Sequence, residues 1–556
     1  MDPDRVQTLA QALDIPPMVA RCLAQRATPE GARQWLSPSL EDLHDPMEMA
    51  GMERAVARIR TALNERQTIR IVTDYDVDGT TSSLILQSTL RLLGVRDALS
   101  HHIPDRQGEG YGFSEQAAAN AVADGVGLII TADIGVRDHA AVSRAVAGGV
   151  DVLICDHHLP AGADVPGDAV AVLCPPQAGC SYPNPALAAC GVSLKLAQAL
   201  LRDHPRQEAI LRSMLKVAAI GTVADVVDLS TPENRAIVRL GVDGLREGPH
   251  SPGLQALLDV AELGREITAE DLGFRLGPRI NAAGRLAKAD AVLTLFGCTD
   301  PGQARVQAQA LDKLNRDRQG IQHTLVERCL ETLPDPSPHF AVLWGEEADG
   351  WHRGVVGIVA AKIRDRVHRP AAVIAVSGLD ARGSVRAPPG VHAVHALDAV
   401  SDLLLTYGGH PAAAGFSTKA AHLPELARRL DEYVREHTPS ADLVPSLTVD
   451  ADCDPADLGT ALAEGLARLA PFGKGNPAPM LRLPVLQLSQ VRPMGAQHLR
   501  MRIGAVDAVW WGGAAHTEAL TQPVELVGTL GFNHWRGQRS VRFTIKDARL
   551  ASPPCP

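Results

Sequence analysis

Aromatic residues make up only 3% of this 556-residue chain, which excludes extensive base-stacking platforms. Any groove for a nucleic acid would have to rely on backbone contacts and a few rings. A basic excess is missing too: the formal net charge is −10, which rules out a globally basic surface but not a local basic groove. The nine cysteines include no Cys-x-x-Cys pair, and the spacing of Cys174, Cys180 and Cys190 matches no common zinc motif. Reduced thiols are expected instead of a disulfide framework. The first residues, Met1-Asp2-Pro3-Asp4-Arg5, hold no apolar signal core, and no run approaches the ~18 apolar residues of a membrane span. Secretion and membrane insertion are not expected; a cytoplasmic location is.

With 45% hydrophobic and 21% charged residues, the composition is that of a globular protein, and its length implies about three or four domains. Strand-like runs alternate with helical spacing through the first half. Thr68 to Thr73, Ala98 to Ile103, Gly127 to Thr131 and Asp151 to Cys155 read as strands. Met52 to Asn64, Thr80 to Leu93, Ala117 to Ala123 and Asp138 to Ala147 read as helices. Such alternation predicts a parallel sheet with right-handed crossovers, which binds ligands beyond the carboxyl ends of its strands. A mostly helical stretch over 190–245 and long polar helices over 265–332 follow. A second α/β region begins near Phe340, with strands Phe340 to Trp344 and Ala371 to Ala375. Five short strands then close the chain, at Val485 to Val491, His498 to Ile503, Ala505 to Trp510, Val524 to Leu530 and Ser540 to Lys546. Their number and spacing suit a small barrel of the oligonucleotide-binding type.

Acidic clusters sit just past the strand ends: Asp74-Tyr75-Asp76-Val77-Asp78-Gly79, Ala132-Asp133-Ile134-Gly135 and Asp156-His157-His158. A fourth acid, Asp225 in Val223-Ala224-Asp225-Val226, follows a predicted helix. Concentrated carboxylates repel one another and suit hard divalent cations; with histidines added they suit a metal pair that activates water and clamps a phosphate. Read alone, the first cluster is equally a helix N-cap run, because Asp is favoured there. It is not a calcium-binding EF-hand, since the downstream glutamate is missing. Gly79 is expected to permit a tight turn into the helix. The pair His101-His102 falls within a strand, so its side chains point to opposite faces and are read as structural.

Taken in order, the four clusters resemble the motifs of the DHH phosphoesterase superfamily. Pro104-Asp105-Arg106 with Glu109-Gly110-Tyr111-Gly112, Leu276 to Arg285, Gly354 to Ala360, Tyr407 to Gly415 and Pro471 to Pro477 are similar to segments of its RecJ branch of single-strand-specific exonucleases. The resemblance runs from about residue 45 to the end of the barrel. Residues 1–50 read as short helices broken by proline, an N-terminal helical segment, and the resemblance implies a catalytic DHH domain over 51–250 and a helical connector over 251–335. A DHH-associated substrate-binding domain over 336–440 and an oligonucleotide-binding-type barrel over 441–556 complete the expected order.

Position by position, the resemblance implies two manganese or magnesium ions held by Asp74, Asp76, Asp133, His157 and Asp225, with Asp133 shared between them. His158 would contact the scissile phosphate or assist the leaving oxygen, and Asp78 is either an outer ligand or a residue that orders the loop. Arg106, Arg279 and Arg285 would grip the strand or its 5′ end. Ser384, Arg386, Gly409 and His410 would bind phosphate. Two departures stand out. Val385 and Ala387 replace a glycine and a serine usual in such relatives, which removes a hydroxyl. Asp228 replaces a proline and adds an acid near the fourth motif. The implied activity is 5′-to-3′ hydrolysis of single-stranded DNA to mononucleotides in repair and recombination, with a single-strand-binding protein and a recombination helicase as partners. A short-oligonucleotide or cyclic-dinucleotide phosphodiesterase is the first alternative, although such relatives usually lack the connector and barrel. A non-catalytic single-strand-binding scaffold is the second, and the intact ligand positions argue against it.

Overall fold

The computed structural model describes residues 3–105, 109–160, 162, 164–439, 443–535 and 538–550. The chain forms two units: one comprises 1–278, 293–304 and 448–556, the other 279–292 and 305–447.

The first unit is built on a parallel sheet of β1 (Ile69–Thr73), β2 (Leu99–His102), β3 (Leu128–Ala132), β4 (Asp151–Cys155) and β5 (Ala171–Leu173), in the order β2-β1-β3-β4-β5. Period-two alternation splits its apolar residues between two faces. Ile69, Ile71, Leu128, Ile130, Leu153 and Cys155 enter one core, and Val72, Ile129, Val152 and Ile154 enter another. Short helices at the N-terminus are α1 (Pro3–Leu13), α2 (Pro17–Ala24) and α3 (Ala32–Leu36). Helices α4 (Met52–Asn64), α5 (Val77–Leu92), α8 (Ala189–Leu200), α9 (Gln207–Ala224) and α10 (Pro232–Glu247) contribute to the first core. Helices α6 (Glu115–Ala123) and α7 (His139–Ala147) cover the other face.

Helix α5 is buried over most of its surface although it opens with Thr80-Thr81-Ser82-Ser83. Most of these polar groups are tolerated because they bond locally, although the buried Ser82 hydroxyl has no partner among the described residues. Thr81 Oγ1 donates to the Val77 carbonyl at 2.7 Å, Thr89 Oγ1 to Ile85 at 2.8 Å, and Gln87 Nε2 to Ser83 Oγ at 3.1 Å. The helix starts at Val77, three residues before the sequence-based expectation, because the Asp76 side chain accepts the Gly79 N–H and caps it. Asp78 therefore lies in the first helical turn and not in a loop. The strand β5 was not foreseen; three residues are too few to carry a pattern.

The C-terminal sheet runs in the order β11-β12-β16-β17-β15-β14-β13, with β11 (Ala451–Asp452), β12 (Leu481–Leu486), β13 (Ser489–Met494), β14 (His498–Ile503), β15 (Val506–Trp510), β16 (Val524–Trp535) and β17 (Gln538–Leu550). The expected first strand, Val485 to Val491, instead straddles the break between β12 and β13, and Gln490 within β13 takes a left-handed φ of 56°. The N-terminal helices share this domain's core: Leu9, Val19, Leu23, Trp35 and Leu36 cluster with Leu462, Leu481, Leu526 and Phe543. Arg26 joins the two ends of the chain through a 2.7 Å ion pair with Asp450.

Between these regions run α11 (Pro252–Val260), α12 (Ala269–Asp271) with the π-helical turn Leu272–Leu276, α13 (Gly277–Leu286), α14 (Asp290–Gly297) and the 32-residue α15 (Pro301–Thr332). The second unit carries a mixed sheet, β6-β7-β8-β10-β9, of β6 (Ala341–Glu346), β7 (Ala371–Ser377), β8 (Asp380–Arg386), β9 (Leu404–His410) and β10 (Ala413–Lys419). Helices α16 (Val356–Val367), α17 (Ala393–Asp398) and α18 (Leu423–His437) belong to it, and α19 (Thr460–Ala467) lies between β11 and β12 of the C-terminal sheet. The glycine-rich run Tyr407 to His410 is the end of an edge strand, not a turn. No described helix is long and apolar enough to cross a membrane.

Because α2 is shared core and not an appendage, Leu23→Ala, at a fully buried position, is expected to cost about 2–5 kcal/mol. Hydrogen exchange should show lost protection in the C-terminal sheet as well as in residues 3–36. Protection lost in the N-terminal helices alone would contradict the shared core.

Candidate metal centre

The carboxyl ends of β1, β3 and β4 converge with the C-terminus of α9. Asp74 follows β1, and Asp76 caps α5. Asp133 follows β3 in a left-handed conformation, φ 64°, which asparagine and aspartate tolerate better than other side chains. Asp225 is the residue that ends α9, and Val226 after it is also left-handed, φ 57°. Such positions cost of order 1–3 kcal/mol and persist where the surroundings over-determine them.

Asp156 organises the histidines and does not itself join a cluster of metal-ligating atoms. Its Oδ1 accepts the backbone N–H groups of His157 (2.7 Å) and His158 (3.1 Å) and the Nδ1 of His158 (2.7 Å), while Oδ2 accepts the Val136 N–H at 3.0 Å. Burial would push this carboxyl up, but the bond and charge of His158 outweigh it and hold it below its ordinary value. In return His158 is raised: burial opposes its charge, and the Asp156 carboxylate wins.

Three sets of ligand atoms lie within 4.8 Å of one another: Asp133, His157 and His158; Asp78, His157 and Asp225; and Asp74, Asp76 and Asp133. His157 Nε2 is 3.3 Å from Asp133 Oδ1 and 3.8 Å from Asp78 Oδ2, and its Nδ1 is 3.7 Å from Asp225 Oδ2. The structure thus brings together all five ligands expected from the sequence, with Asp78 and His158 beside them. Asp133 is pushed well above the carboxylate range by burial and by Asp76, Asp78, Asp74 and Asp225. Asp225 is raised likewise by burial, Asp78 and Asp76. Burial lowers His157 and so favours the neutral imidazole, the form that ligates. Its Nε2 is buried with no hydrogen-bond partner among the described residues, although it points into carboxylates. A neutral imidazole nitrogen and mutually repelling carboxylates fit divalent cations and no other common cofactor.

The role of Asp78 was open in the sequence. Here its fully buried carboxylate accepts the Ala189 N–H at 2.7 Å and the Cys190 N–H at 2.9 Å, at the start of α8, whose own N-cap residue Ala188 supplies no side-chain bond. Gly221 of α9 makes room, since a Cβ there would overlap Thr81 Oγ1 and crowd Asp78. Gly79 has a different function from the expected turn: a Cβ would overlap the Asp74 carbonyl oxygen, so glycine lets α5 close on the Asp74 backbone. Sequence reasoning assigned no role to Tyr111. Its hydroxyl lies 3.2 Å from His158 Nε2 and 3.4 Å from the Asp133 carbonyl oxygen. The Glu109-Gly110-Tyr111-Gly112 segment was the available signal. His102, read as structural, pairs with Glu109 at 3.0 Å.

The remaining expected residues lie in the second unit, except Arg106, which lies outside the described residues. Arg279 pairs with Asp312 at 2.9 Å, and Arg285 Nη1 donates to the Gly354 carbonyl at 2.9 Å. Ser384 and Arg386 share one face of β8. Register carries that face across β10 to β9: Ser384 stands beside Gly415 and Gly408, and Arg386 beside Ala413 and His410. The first turn of α16 lies against it, for a Cβ on Gly357 would come 3.0 Å from Arg386 Nη2 and 3.1 Å from Ser384 Oγ. The result is a patch floored by glycines, rimmed by a guanidinium and an imidazole, at a helix N-terminus. Gly409 falls on the other register row, beside Ala414 and Val385. Val385 and Ala387 are both buried in the opposite core, so the two departures fill apolar space and leave the Ser384 face unchanged. Asp228 accepts the Ser230 N–H at 2.7 Å and so opens the turn over Leu229 and Ser230.

A carboxylate–histidine cluster at the carboxyl edge of a parallel sheet defines a metal-dependent phosphoesterase of the DHH type. Family models agree along the chain: the DHH family N-terminal domain matches residues 68–222, the DHHA1 domain 338–436 and the RecJ OB domain 449–547. The single-stranded-DNA-specific exonuclease RecJ of Bacillus subtilis (strain 168) is 36% identical over 565 residues, covering 99% of this chain and 70% of the relative. The crystal structure of RecJ from Thermus thermophilus in complex with Mn2+ superposes with a TM-score of 0.84 at 29% identity, covering 100% of this chain and 79% of that one. The corresponding Mg2+ complex gives a TM-score of 0.78 at 28% identity, covering 100% and 78%. The chain belongs to the RecJ family of single-stranded-DNA-specific exonucleases.

The raised carboxyls fix a sign for stability. Asp133 and Asp225 have folded-state pKa values above their unfolded ones, so their contribution to the metal-free protein is present in acid and is lost as pH rises from ~4 through the raised values. Asp225→Asn is expected to raise the Tm of chelator-treated protein at neutral pH and to abolish stabilisation by manganese. A lower Tm for the metal-free variant would contradict this.

Proposed function

We propose that Asp74, Asp76, Asp133, His157 and Asp225 hold two divalent cations, manganese or magnesium, with Asp133 facing both. The observation that carries this reading is the meeting of the three ligand sets at Asp133 and His157, each of which belongs to two of them. When bound, the cations supply Lewis acidity that activates water and offsets phosphate charge. Asp156 fixes the tautomer of His158 by accepting its Nδ1 proton, so that Nε2, beside the Tyr111 hydroxyl, is turned toward the scissile phosphate or the leaving oxygen. Asp78 braces the site through α8 and is a positioning residue.

The chain is a single-stranded-DNA exonuclease, like the RecJ relatives it matches. It degrades the strand from its 5′ end to mononucleotides, with little sequence preference, because phosphate contacts carry no base information. The Ser384, Arg386 and His410 face holds a phosphate of the substrate. Arg279 and Arg285, which already have partners, shape the protein around α13 and contact DNA only secondarily. Work in the cytoplasm, in repair and recombination, beside a single-strand-binding protein and a helicase, follows from the same reading.

The test is manganese with single-stranded DNA labelled at either end. Labelled mononucleotide should appear early only from the 5′ label. Asp133→Asn is the informative variant, because asparagine tolerates the left-handed backbone while it loses the charge. Activity should fall by at least about 10²–10³-fold. Early release from the 3′ label would refute the polarity, and an unaffected variant would refute the site. Arg386→Ala is expected to raise KM several-fold while kcat changes little; an unchanged KM would remove the patch from the substrate path.

A further inference from the structure

The short hairpin Pro471–Pro477 leads into the C-terminal sheet, and Lys474 stands at its tip. Gly473 and Asn476 close it with reciprocal backbone bonds of 2.9 and 3.2 Å. The hairpin is fastened to the loop that carries Asp225. The Leu229 N–H donates to the Lys474 carbonyl at 2.8 Å. Gly475, left-handed at φ 76°, lies so close to the Asp228 carboxylate that any Cβ would overlap it. Behind the hairpin, the buried Arg235 of α10 donates to the carbonyls of Leu469 (2.8 Å) and Ala470 (2.7 Å). The buried Asn476 amide donates to Leu469 (2.9 Å) and Pro471 (2.7 Å), and its oxygen accepts from Arg26 Nε at 3.0 Å.

All this anchorage fixes the backbone of a segment whose lysine is exposed and forms no ion pair within 4.0 Å among the described residues. Lys474 is nevertheless held beside the segment that carries Asp225, because its carbonyl accepts the N–H of Leu229, four residues further along that segment. A polyanion that approaches five carboxylates meets a repulsive field, and a fixed cation at the rim offsets it. Lysine suits this role, since its ammonium is a point charge that contacts phosphate without reading bases. The anchorage also gives the C-terminal part of the chain a direct share in the catalytic site.

We propose that Lys474 is a phosphate-binding residue of the exonuclease site, delivered by the C-terminal hairpin to the Asp225 side of the carboxylate cluster, where its ammonium contacts a non-bridging oxygen of the single strand. This rests on the exonuclease reading above.

Steady-state kinetics on a single-stranded oligonucleotide, with manganese saturating and potassium chloride varied, test it with Lys474→Gln and Lys474→Arg. In Lys474→Gln, KM should rise roughly three- to ten-fold with kcat nearly constant, the mark of an interaction equal in ground and transition states. The slope of log(kcat/KM) against log salt should become shallower by about 0.7, one phosphate contact on a single strand. Lys474→Arg should keep the wild-type slope. Tm and the manganese midpoint should not move. Unchanged KM and slope overturn the proposal. So does a fall in kcat with a shifted manganese midpoint and an unchanged slope, because the lysine would then act on Asp225 and not on DNA. A wild-type protein that leaves the strand intact overturns the exonuclease reading itself, and this proposal with it.

Discussion

Mutual repulsion among buried carboxylates is the constraint on which the rest of the structure depends. Asp74, Asp78 and Asp133 are buried, and Asp76 and Asp225 face them. Desolvated like charges are costly to assemble without counter-charge. The fold offsets part of that repulsion with backbone dipoles: α5 is capped by Asp76, and α8 presents two N–H groups to Asp78. The remainder is left for cations. The parallel sheet, the glycines at 79 and 221 and the left-handed Asp133 serve to bring these groups within ligand distance.

In the proposed centre, ligation and orientation fall to different residues. Asp156 commits both oxygens to backbone N–H groups and to His158, and so sets the two rings, 4.5 Å apart between centroids, without competing for a cation. Tyr111 approaches His158 from the other nitrogen. In the second unit the division recurs in simpler form: alternation along β8 sends Val385 inward and Ser384 and Arg386 outward, so the core and the Ser384 face can change independently.

Much of this was legible in the sequence because hydrophobic runs ended in acids. Leu128 to Ala132 before Asp133 and Asp151 to Cys155 before Asp156 carry both the strand and the site in one segment. Asp225 was readable as a helix end. What escaped depends on contacts distant in sequence. The partner of Asp78 is 111 residues away at Ala189. The helices before residue 37 fill a core made after residue 450. Gly408 and Gly409 look like a turn because glycine is usually one, yet pairing with β10 makes them an edge strand. Five strands became seven because β11 has only two residues and a break after Leu486 divides β12 from β13.

Whether this cluster is assembled for two cations is tested most directly by calorimetric titration of manganese into chelator-stripped protein, in two buffers of different ionisation enthalpy. Two ions should bind per chain with net release of protons, since raised carboxyls must ionise to ligate. Binding of a single ion, or of two with no proton release, would contradict it.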